Sequence, residues 1–147
     1  MSNNNLLQKM IMRDPLEKSP GYLLRRASNL RAAELVQRLA KHDVRMVDAT
    51  VLLLLGENPH ITASAVGRTL DVQRANMVPL LKRLEDAGLI ERAPIDGKSQ
   101  GLSLTPAGEV RLKEVRSTVE QFENELMERV PEELRAYVIP VLDALWR

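Results

Sequence analysis

The spacing of the apolar residues in this chain changes at Gly88. Before this glycine, apolar side chains recur three and four residues apart, as on one face of a helix: Met77, Leu80, Leu81 and Leu84. After it, residues 89–93 and 102–105 depart from this helical spacing, which predicts two strands. The dipeptide Asp96-Gly97 between them favours a hairpin turn. We therefore expect a helix followed directly by a β-hairpin with a polar tip.

A second short helix precedes this one. Thr62 is a good N-cap for a helix that reaches about Leu70, and residues 70–73 are typical of a tight turn. The longer helix then extends to Ala87, with Gly88 in the position that commonly ends a helix. Two helices joined by a tight turn form a helix-turn-helix, and the hairpin after them is a wing.

Longer helices are predicted on both sides of this region. One starts near Ser19-Pro20-Gly21, and its apolar stripe is formed by Leu23, Ala27, Leu30, Ala33 and Val36. A central helix over about Val47–Leu55 is apolar on nearly all sides and ends at residues 56–59. A long helix over about Pro106–Arg129 follows the hairpin, and a last helix begins at Pro131 and is expected to bend near Pro140.

The fold class predicted from this order is mainly α with a small β-hairpin wing. It is a winged helix-turn-helix with N- and C-terminal dimerisation helices, forming one compact domain. We assign residues 1–18 to a flexible arm, 19–46 to the N-terminal dimerisation helix, 47–106 to the winged region and 107–147 to the C-terminal dimerisation helices. The outer helices carry more apolar positions than a winged region of about 60 residues can cover, which predicts a homodimer with twofold symmetry.

Composition narrows the classes of function. The 147 residues include no cysteine, which excludes disulfides and thiol chemistry, and the two histidines lack the neighbours that a metal site needs. The longest apolar run, Val51–Leu55, is far shorter than the roughly 20 residues of a membrane span. The N-terminus lacks the features of a signal peptide, so we expect a cytoplasmic protein with no membrane association, metal or cofactor.

Charge is distributed unevenly although the net charge is only +1. Residues 72–84 contain three basic side chains and no acidic one: Arg74, Lys82 and Arg83. A helix fits the major groove of DNA, where arginine pairs with guanine and asparagine or glutamine pairs with adenine. The candidates for base contacts in the first turns are Gln73, Arg74, Asn76 and Met77. Lys82 and Arg83 lie further along, where phosphates are the expected partners. On the wing, we expect Lys98, Ser99 and Gln100 to reach a minor groove or a phosphate.

Several spaced segments together resemble the MarR family of regulators: residues 66–70, 80–85, 88–92, 96–99 and 104–108. The resemblance implies an obligate homodimer whose recognition helices enter adjacent major grooves of a pseudo-palindromic double-stranded operator. Arg83 and Asp96 stand where the family has its Arg and its wing Asp, and the latter often orients the wing by pairing with a basic residue, which implies a structural role. Two positions depart from the usual pattern. Lys98 replaces the wing arginine, and Pro79 lies inside the recognition helix.

The resemblance also implies a small-molecule effector, often an aromatic acid, bound between the dimerisation helices and the winged region. A carboxylate needs a cation. The candidates for this site are Arg25 and Arg26, with Asn29 and His42 as polar partners. The alternative is that both arginines form ion pairs within or between subunits. Tyr22 and Trp146 fit core or dimer contacts as well as ligand walls.

The favoured function is thus a sequence-specific regulator of transcription, a repressor released by its ligand. An alternative is a winged-helix module that binds another protein and no longer binds DNA. The basic side chains at positions 74, 82, 83 and 98 argue against it. An enzyme is a third class, but the sequence contains no catalytic triad, glycine-rich phosphate loop or paired catalytic carboxylates, so we predict no catalytic residues.

Overall fold

The structure, a computed structural model, describes residues 14–97 and 99–147, which fall into two compact units that divide between residues 34 and 35. The helices are α1 (Pro20–Ala40), α2 (Met46–Glu57), α3 (Ala63–Thr69), α4 (Arg74–Asp86), α5 (Pro106–Glu128) and α6 (Arg135–Trp146), with a short 3-10 turn at Glu132–Leu134. The strands are β1 (Ile61–Thr62), β2 (Ile90–Pro94) and β3 (Gln100–Leu104). This order confirms the winged helix-turn-helix with flanking helices. No described helix is both long enough and apolar enough to cross a membrane.

The first unit contains the first part of α1, which begins at Pro20 as the sequence predicts. Of the predicted arm, residue 14 precedes a turn over residues 15–18, and the remainder lies outside the described residues. No residue described in this unit is buried, and Leu30 of the apolar stripe is 61% exposed. The stripe therefore forms, but the contacts within this unit leave it uncovered.

The core lies in the second unit, around α2. Val51, Leu52 and Leu55 of this helix are almost completely buried, and Leu112 and Val115 of α5 join the same apolar cluster. The helix that was predicted to be apolar on nearly all sides is thus central, because neighbouring elements cover most of its circumference. It continues to Glu57, two residues past the predicted end, and the Asn58 N–H donates to the Leu54 carbonyl.

The helix-turn-helix is built from local signals and one close approach. The Thr62 hydroxyl accepts a hydrogen bond from the Ala65 N–H at 3.2 Å, which confirms the predicted N-cap of α3. Gly67 lies where α3 meets the turn, and a Cβ there would come within 3.2 Å of the Val72 carbonyl oxygen. The absence of a side chain at this glycine lets the two helices pack closely.

The wing is part of a three-stranded antiparallel sheet in the order β1-β3-β2. In the hairpin, Ile90 pairs with Leu104 and Pro94 pairs with Gln100. The predicted hairpin is confirmed, but β1 was not predicted. Two residues are too few to show a period, and Ile61 becomes a strand only by pairing with Leu102.

The end of α4 follows the predicted chemistry, whereas α6 begins at Arg135, four residues after the predicted start at Pro131. Gly88 adopts a φ of 69°, and the Leu89 N–H donates to the Leu84 carbonyl, which closes α4 with a left-handed cap. Pro131 precedes the 3-10 turn, and α6 continues through Pro140 to Trp146. No residue of α6 is buried.

Candidate functional site

Helix α4 presents two different faces. Its apolar stripe is buried against the core, as predicted: Met77, Leu80, Leu81 and Leu84. The opposite face is polar and exposed at the start of the helix, where Gln73 is the N-cap and Arg74 and Asn76 follow. This geometry leaves three of the predicted base-reading side chains accessible at one end of the helix.

The start of α4 and the wing share one open cleft of about 740 Å³. Arg74 lines this cleft from the helix, and Ser99 and Gln100 line it from the wing. The structure therefore brings together predicted residues that lie some 25 positions apart in the sequence. Lys98 lies outside the described residues, so its predicted contact stays a prediction.

The tip of the wing is stabilised by hydrogen bonds between its own residues. The Asp96 carboxylate accepts a hydrogen bond from the Ser99 N–H at 2.7 Å, and the Ile95 N–H donates to the Ser99 carbonyl at 2.9 Å. An aspartate that accepts from a backbone N–H three residues later stabilises a tight turn. The contact fits the structural role that the family resemblance implies for Asp96.

Two exposed cations near α4 were missed by the sequence reasoning. Arg68 of α3 and Arg92 of β2 line a groove of about 520 Å³ that runs beside Gln73 and Arg74. Arg92 forms an ion pair with Glu85, whereas Arg68 has no ion pair among the described residues. A basic residue in the last turn of α3 gives no sign of which way it faces, because its direction depends on how α3 crosses α4.

One of the predicted base contacts, Met77, is wrong. Its side chain is only 4% exposed, and its Cγ lies 3.3 Å from the position that a Cβ on Gly67 would take. The residue fills the contact between α3 and α4, so it cannot face a base. Its position in the apolar stripe correctly predicted that it is buried.

Arg83 also differs from its predicted role. Its Nη2 donates to the carboxylate of Asp48, a residue of α2 that is 5% exposed. Its Nε is buried and has no hydrogen-bond partner. The Nη2 of the guanidinium points toward α2, so the structure gives Arg83 an ion pair with a buried carboxylate where the sequence predicted a phosphate contact, while its side chain remains 36% exposed.

Lys82 remains on the surface. Its ammonium group lies 2.9 Å from the Asp86 carboxylate, one turn further along α4, and its side chain is 70% exposed. An exposed pair of this kind contributes little to stability, so the lysine can exchange its partner for a phosphate at low cost.

The predicted effector residues divide between the two units. In the first unit, the guanidinium groups of Arg25 and Arg26 lie 5.7 and 5.6 Å from the centre of the Tyr22 ring, and Arg26 is 3.6 Å from the Asp14 carboxylate. Asn29 is exposed on the same helix. The Arg26 contact matches the alternative in which the arginines form ion pairs.

His42 belongs to the second unit, in the turn after α1. Its Nε2 lies 3.0 Å from the Thr118 hydroxyl, and its Nδ1 lies 3.8 Å from the Glu114 carboxylate. One turn back, Arg38 pairs with Glu125 of α5 and holds the pKa of this carboxyl below its usual value by a hydrogen bond. These polar contacts tie the end of α1 to α5.

An apolar groove of about 600 Å³ also lies within the second unit. It is lined by the end of α1, the start of α2 and the turn before α4, including Ala40, Met46, Val47, Thr50, Leu70 and Val72. Arg45 stands at its edge, exposed and without an ion pair among the described residues. The volume is that of a small-molecule site, and the single cation gives it one anion-binding position. The sequence reasoning missed this groove, because its walls come from three separate elements.

Comparisons with known proteins agree with this geometry. Residues 42–99 match the model of the MarR family. The chain is 29% identical over 99 residues to a candidate transcriptional regulatory protein for the hcr operon of Thauera aromatica, a match that covers 66% of this chain and 60% of the length of that relative.

Solved structures match over more of the chain. The transcriptional repressor CouR bound to a 23-mer DNA duplex is 30% identical, with a TM-score of 0.81, and the match covers 90% of this chain and 95% of the other. CouR bound to p-coumaroyl-CoA is 28% identical, with a TM-score of 0.80, covering 93% of this chain and 98% of the other. A probable transcriptional regulator from Pseudomonas aeruginosa is 23% identical and shares the fold, with a TM-score of 0.76.

Proposed function

The chain belongs to the MarR family, and on that premise we propose that it is a dimeric, sequence-specific DNA-binding repressor of transcription that a small molecule releases from its operator. The observation that carries this proposal is the cleft in which Arg74 of α4 meets Ser99 and Gln100 of the wing. Its site of action would be the cytoplasm, where the DNA lies. We propose no catalytic activity, since the relatives described above are regulators of transcription.

In the proposed complex, the start of α4 enters a major groove. Arg74 contacts guanine, and Gln73 and Asn76 contact adenine, because these pairings match the hydrogen-bonding groups of the base edges. Arg68 and Lys82 contact phosphates on either side, which fixes the position of the helix without reading sequence. Lys98, Ser99 and Gln100 of the wing reach the flanking minor groove or its phosphates.

The proposed dimer follows from the uncovered apolar side chains of α6. Tyr137, Ile139 and Leu145 are each more than half exposed in the single chain. An apolar surface of this kind normally marks an interface. A second copy covers it with the same helix in a twofold arrangement, which also presents two α4 helices to the two halves of a pseudo-palindrome.

The apolar groove is the proposed site for the effector. CouR, which shares the fold and 28% of its residues with this chain, binds p-coumaroyl-CoA. A ligand with an aromatic or acyl body and an anionic group fits the groove, because its apolar walls suit the body and Arg45 suits the anion. We keep Arg25, Arg26, Asn29 and His42 as separate candidates for contacts to the anionic group.

Fluorescence anisotropy of the purified protein tests the proposal. The labelled duplex is the DNA upstream of the protein's own gene, and a scrambled duplex of the same composition is the control. We expect selective binding that weakens steeply as the salt concentration rises, because phosphate contacts release counterions. Adding p-coumaroyl-CoA or simple aromatic acids to the complex then screens for release.

Equal and weak binding to both duplexes would count against the DNA-binding proposal. The next step would be a selection from random duplexes, which finds a preferred site wherever it lies in a genome. Failure to enrich any sequence would favour the alternative, a winged-helix module that binds another protein.

A further inference from the structure

The exposed face of α4 is apolar at its centre. A helix turns by about 100° per residue, so Ala75 and Pro79 lie opposite the buried stripe, and Val78 lies beside them. All three side chains are exposed, and Val78 is 65% exposed. The polar side chains of Arg74 and Asn76 lie on either side of this apolar patch. The part of the helix that points farthest from the core therefore offers no hydrogen-bonding side chain in its first two turns.

Cations border the apolar patch. Val78 lines the groove of about 520 Å³ together with Arg68, Arg74 and Arg92. Residues 72–84 contain no acidic side chain. An exposed apolar surface with a polar border commonly marks a binding site. Arginines on its border favour a polyanionic partner, because phosphates neutralise them while the apolar centre contacts the floor of a groove.

Pro79 is a costly residue at its position. It is the sixth residue of a helix of 13, so it has no N–H to donate to the carbonyl of Ala75. Because its ring is exposed, it gains little from packing within the protein. A contact outside the protein is where such a ring is useful. Proline and alanine lose no side-chain entropy on binding, and valine is stiff, so the patch is already ordered for contact.

The DNA major groove presents one apolar group, the C5 methyl of thymine. Val78 lies one turn beyond Arg74, about 6 Å along the helix axis. Base pairs are stacked about 3.4 Å apart. A contact made by Val78 therefore falls within about two base pairs of the base that Arg74 reaches.

We infer that Ala75, Val78 and Pro79 are specificity-determining residues that read the C5 methyl of a thymine within about two base pairs of the guanine contacted by Arg74. The inference rests on the proposed function and adds to it the kind of base that the centre of α4 selects. Hydrogen bonds from Arg74 and Asn76 do not distinguish thymine from uracil, since the two bases differ only in this methyl. An apolar contact does distinguish them.

Replacing thymine with uracil in the operator tests this inference. The operator is the site enriched from random duplexes, and each thymine of one half-site is replaced in turn. The replacement keeps every hydrogen-bonding group and removes one methyl. We expect one or two positions in the half-site at which affinity falls about three- to fivefold, the value of one buried methyl. At the other positions we expect less than about twofold. Fluorescence anisotropy at fixed salt measures each affinity.

Val78→Ala connects the lost methyl to this side chain. In the variant, we expect uracil at the sensitive position to change affinity by less than about twofold, because the two partners of one contact are not independent. Val110→Ala is the matched control, since this valine of α5 is 60% exposed and lies outside the α4 face. The control should keep the full effect of uracil. Thermal unfolding confirms that both variants fold, as expected for exposed side chains.

Pro79→Ala separates a role in binding from a role in the fold. The variant regains an N–H for the Ala75 carbonyl, so we expect a higher thermal unfolding midpoint. We also expect operator affinity to fall by at least about twofold, because the ring no longer covers the methyl. A midpoint and an affinity that rise together would contradict the role assigned to Pro79.

The outcomes distinguish failure of this inference from failure of the proposed function. Selective DNA binding without a uracil-sensitive thymine would overturn the inference and leave the proposed function standing. The same holds for equal sensitivity to uracil in the natural chain and in Val78→Ala. An enriched site with no thymine within about two base pairs of a guanine would also overturn it. Failure to enrich any duplex would count against the proposed function itself.

Discussion

The winged region and the last helix differ in whether their apolar side chains are buried. Between residues 46 and 106, apolar side chains such as Leu52 and Leu81 are almost wholly buried, and the sheet and helices close around them. In α6, no residue is buried, and Trp146 is 75% exposed. The first region is complete within one chain, whereas the second has formed a helix without its packing partner. Apolar side chains therefore form a core in the first region and an uncovered surface in the second. Each substitution considered next tests one of these surroundings.

Leu52→Ala should have the largest effect, because it removes a fully buried side chain from the complete region. Truncating a core leucine commonly costs about 2–5 kcal/mol of unfolding free energy, from lost burial and the cavity that remains. Urea unfolding at a fixed protomer concentration measures the change, and Ile139→Ala in α6 is the matched control. A larger loss for Ile139→Ala than for Leu52→Ala would reverse the comparison.

Ile139→Asp should next affect assembly. Ile139 is exposed in the single chain, and its burial by a second copy would contribute about 1.5–3 kcal/mol per side chain. A buried carboxylate in both copies should weaken the dimer by at least about 2 kcal/mol. Sedimentation equilibrium measures the shift toward monomer, with Glu133→Gln, which changes a charge in the turn before α6, as the control. An unchanged dimer would place the interface elsewhere.

Arg74→Ala tests a third kind of surface, the exposed polar face of α4, which we propose binds DNA. We expect a loss of about 1–3 kcal/mol of specific binding and a relaxed preference at one base pair. Unfolding and assembly should not change, since Arg74 has no ion pair among the described residues. Lys82→Ala is the control variant, because a lost phosphate contact weakens all sequences alike and flattens the salt dependence. Retained site preference in Arg74→Ala would remove it from the reading residues.

Glu125→Gln should have the smallest effect, and one that depends on pH. The hydrogen bond from Arg38 lowers the pKa of Glu125 below its usual value of 4.5, so the folded state favours the charged carboxylate. The stabilisation is fully present above that usual value and is lost as the pH falls through the lowered pKa. Thermal unfolding midpoints of the natural chain and the variant should thus differ at neutral pH and converge in acid. A constant difference at all pH values would assign the effect to packing.

Most of the candidate site was predictable from local patterns. The apolar stripe of α4 leaves Gln73, Arg74 and Asn76 on the other face wherever the helix packs, because a helix repeats every 3.6 residues. Ser99 and Gln100 follow from the polar tip of a hairpin. The prediction that Met77 contacts a base was wrong because this residue fits two patterns at once, the buried stripe and the first turns of the helix. Only its packing against Gly67 separates them.

The remaining features depend on residues far apart in the sequence. Asp48 and Arg83 are separated by 35 positions, and β1 exists only because Leu102 pairs with it. The direction of Arg68 and the walls of the apolar groove depend on the same long-range packing. None of these leaves a periodic signal or a capping motif.

By itself, the sequence determined the order of the helices, the hairpin, the caps at Thr62 and Gly88, and the basic exposed face of α4. These follow from interactions within a few residues, which act in any tertiary arrangement. Only the tertiary structure decided that Arg83 pairs with Asp48, that Met77 is buried, and that three elements enclose an apolar groove. The reason is that burial and ion pairing depend on which distant segments pack together. The free energy of that packing comes from the whole core, so no single segment of the sequence predicts it.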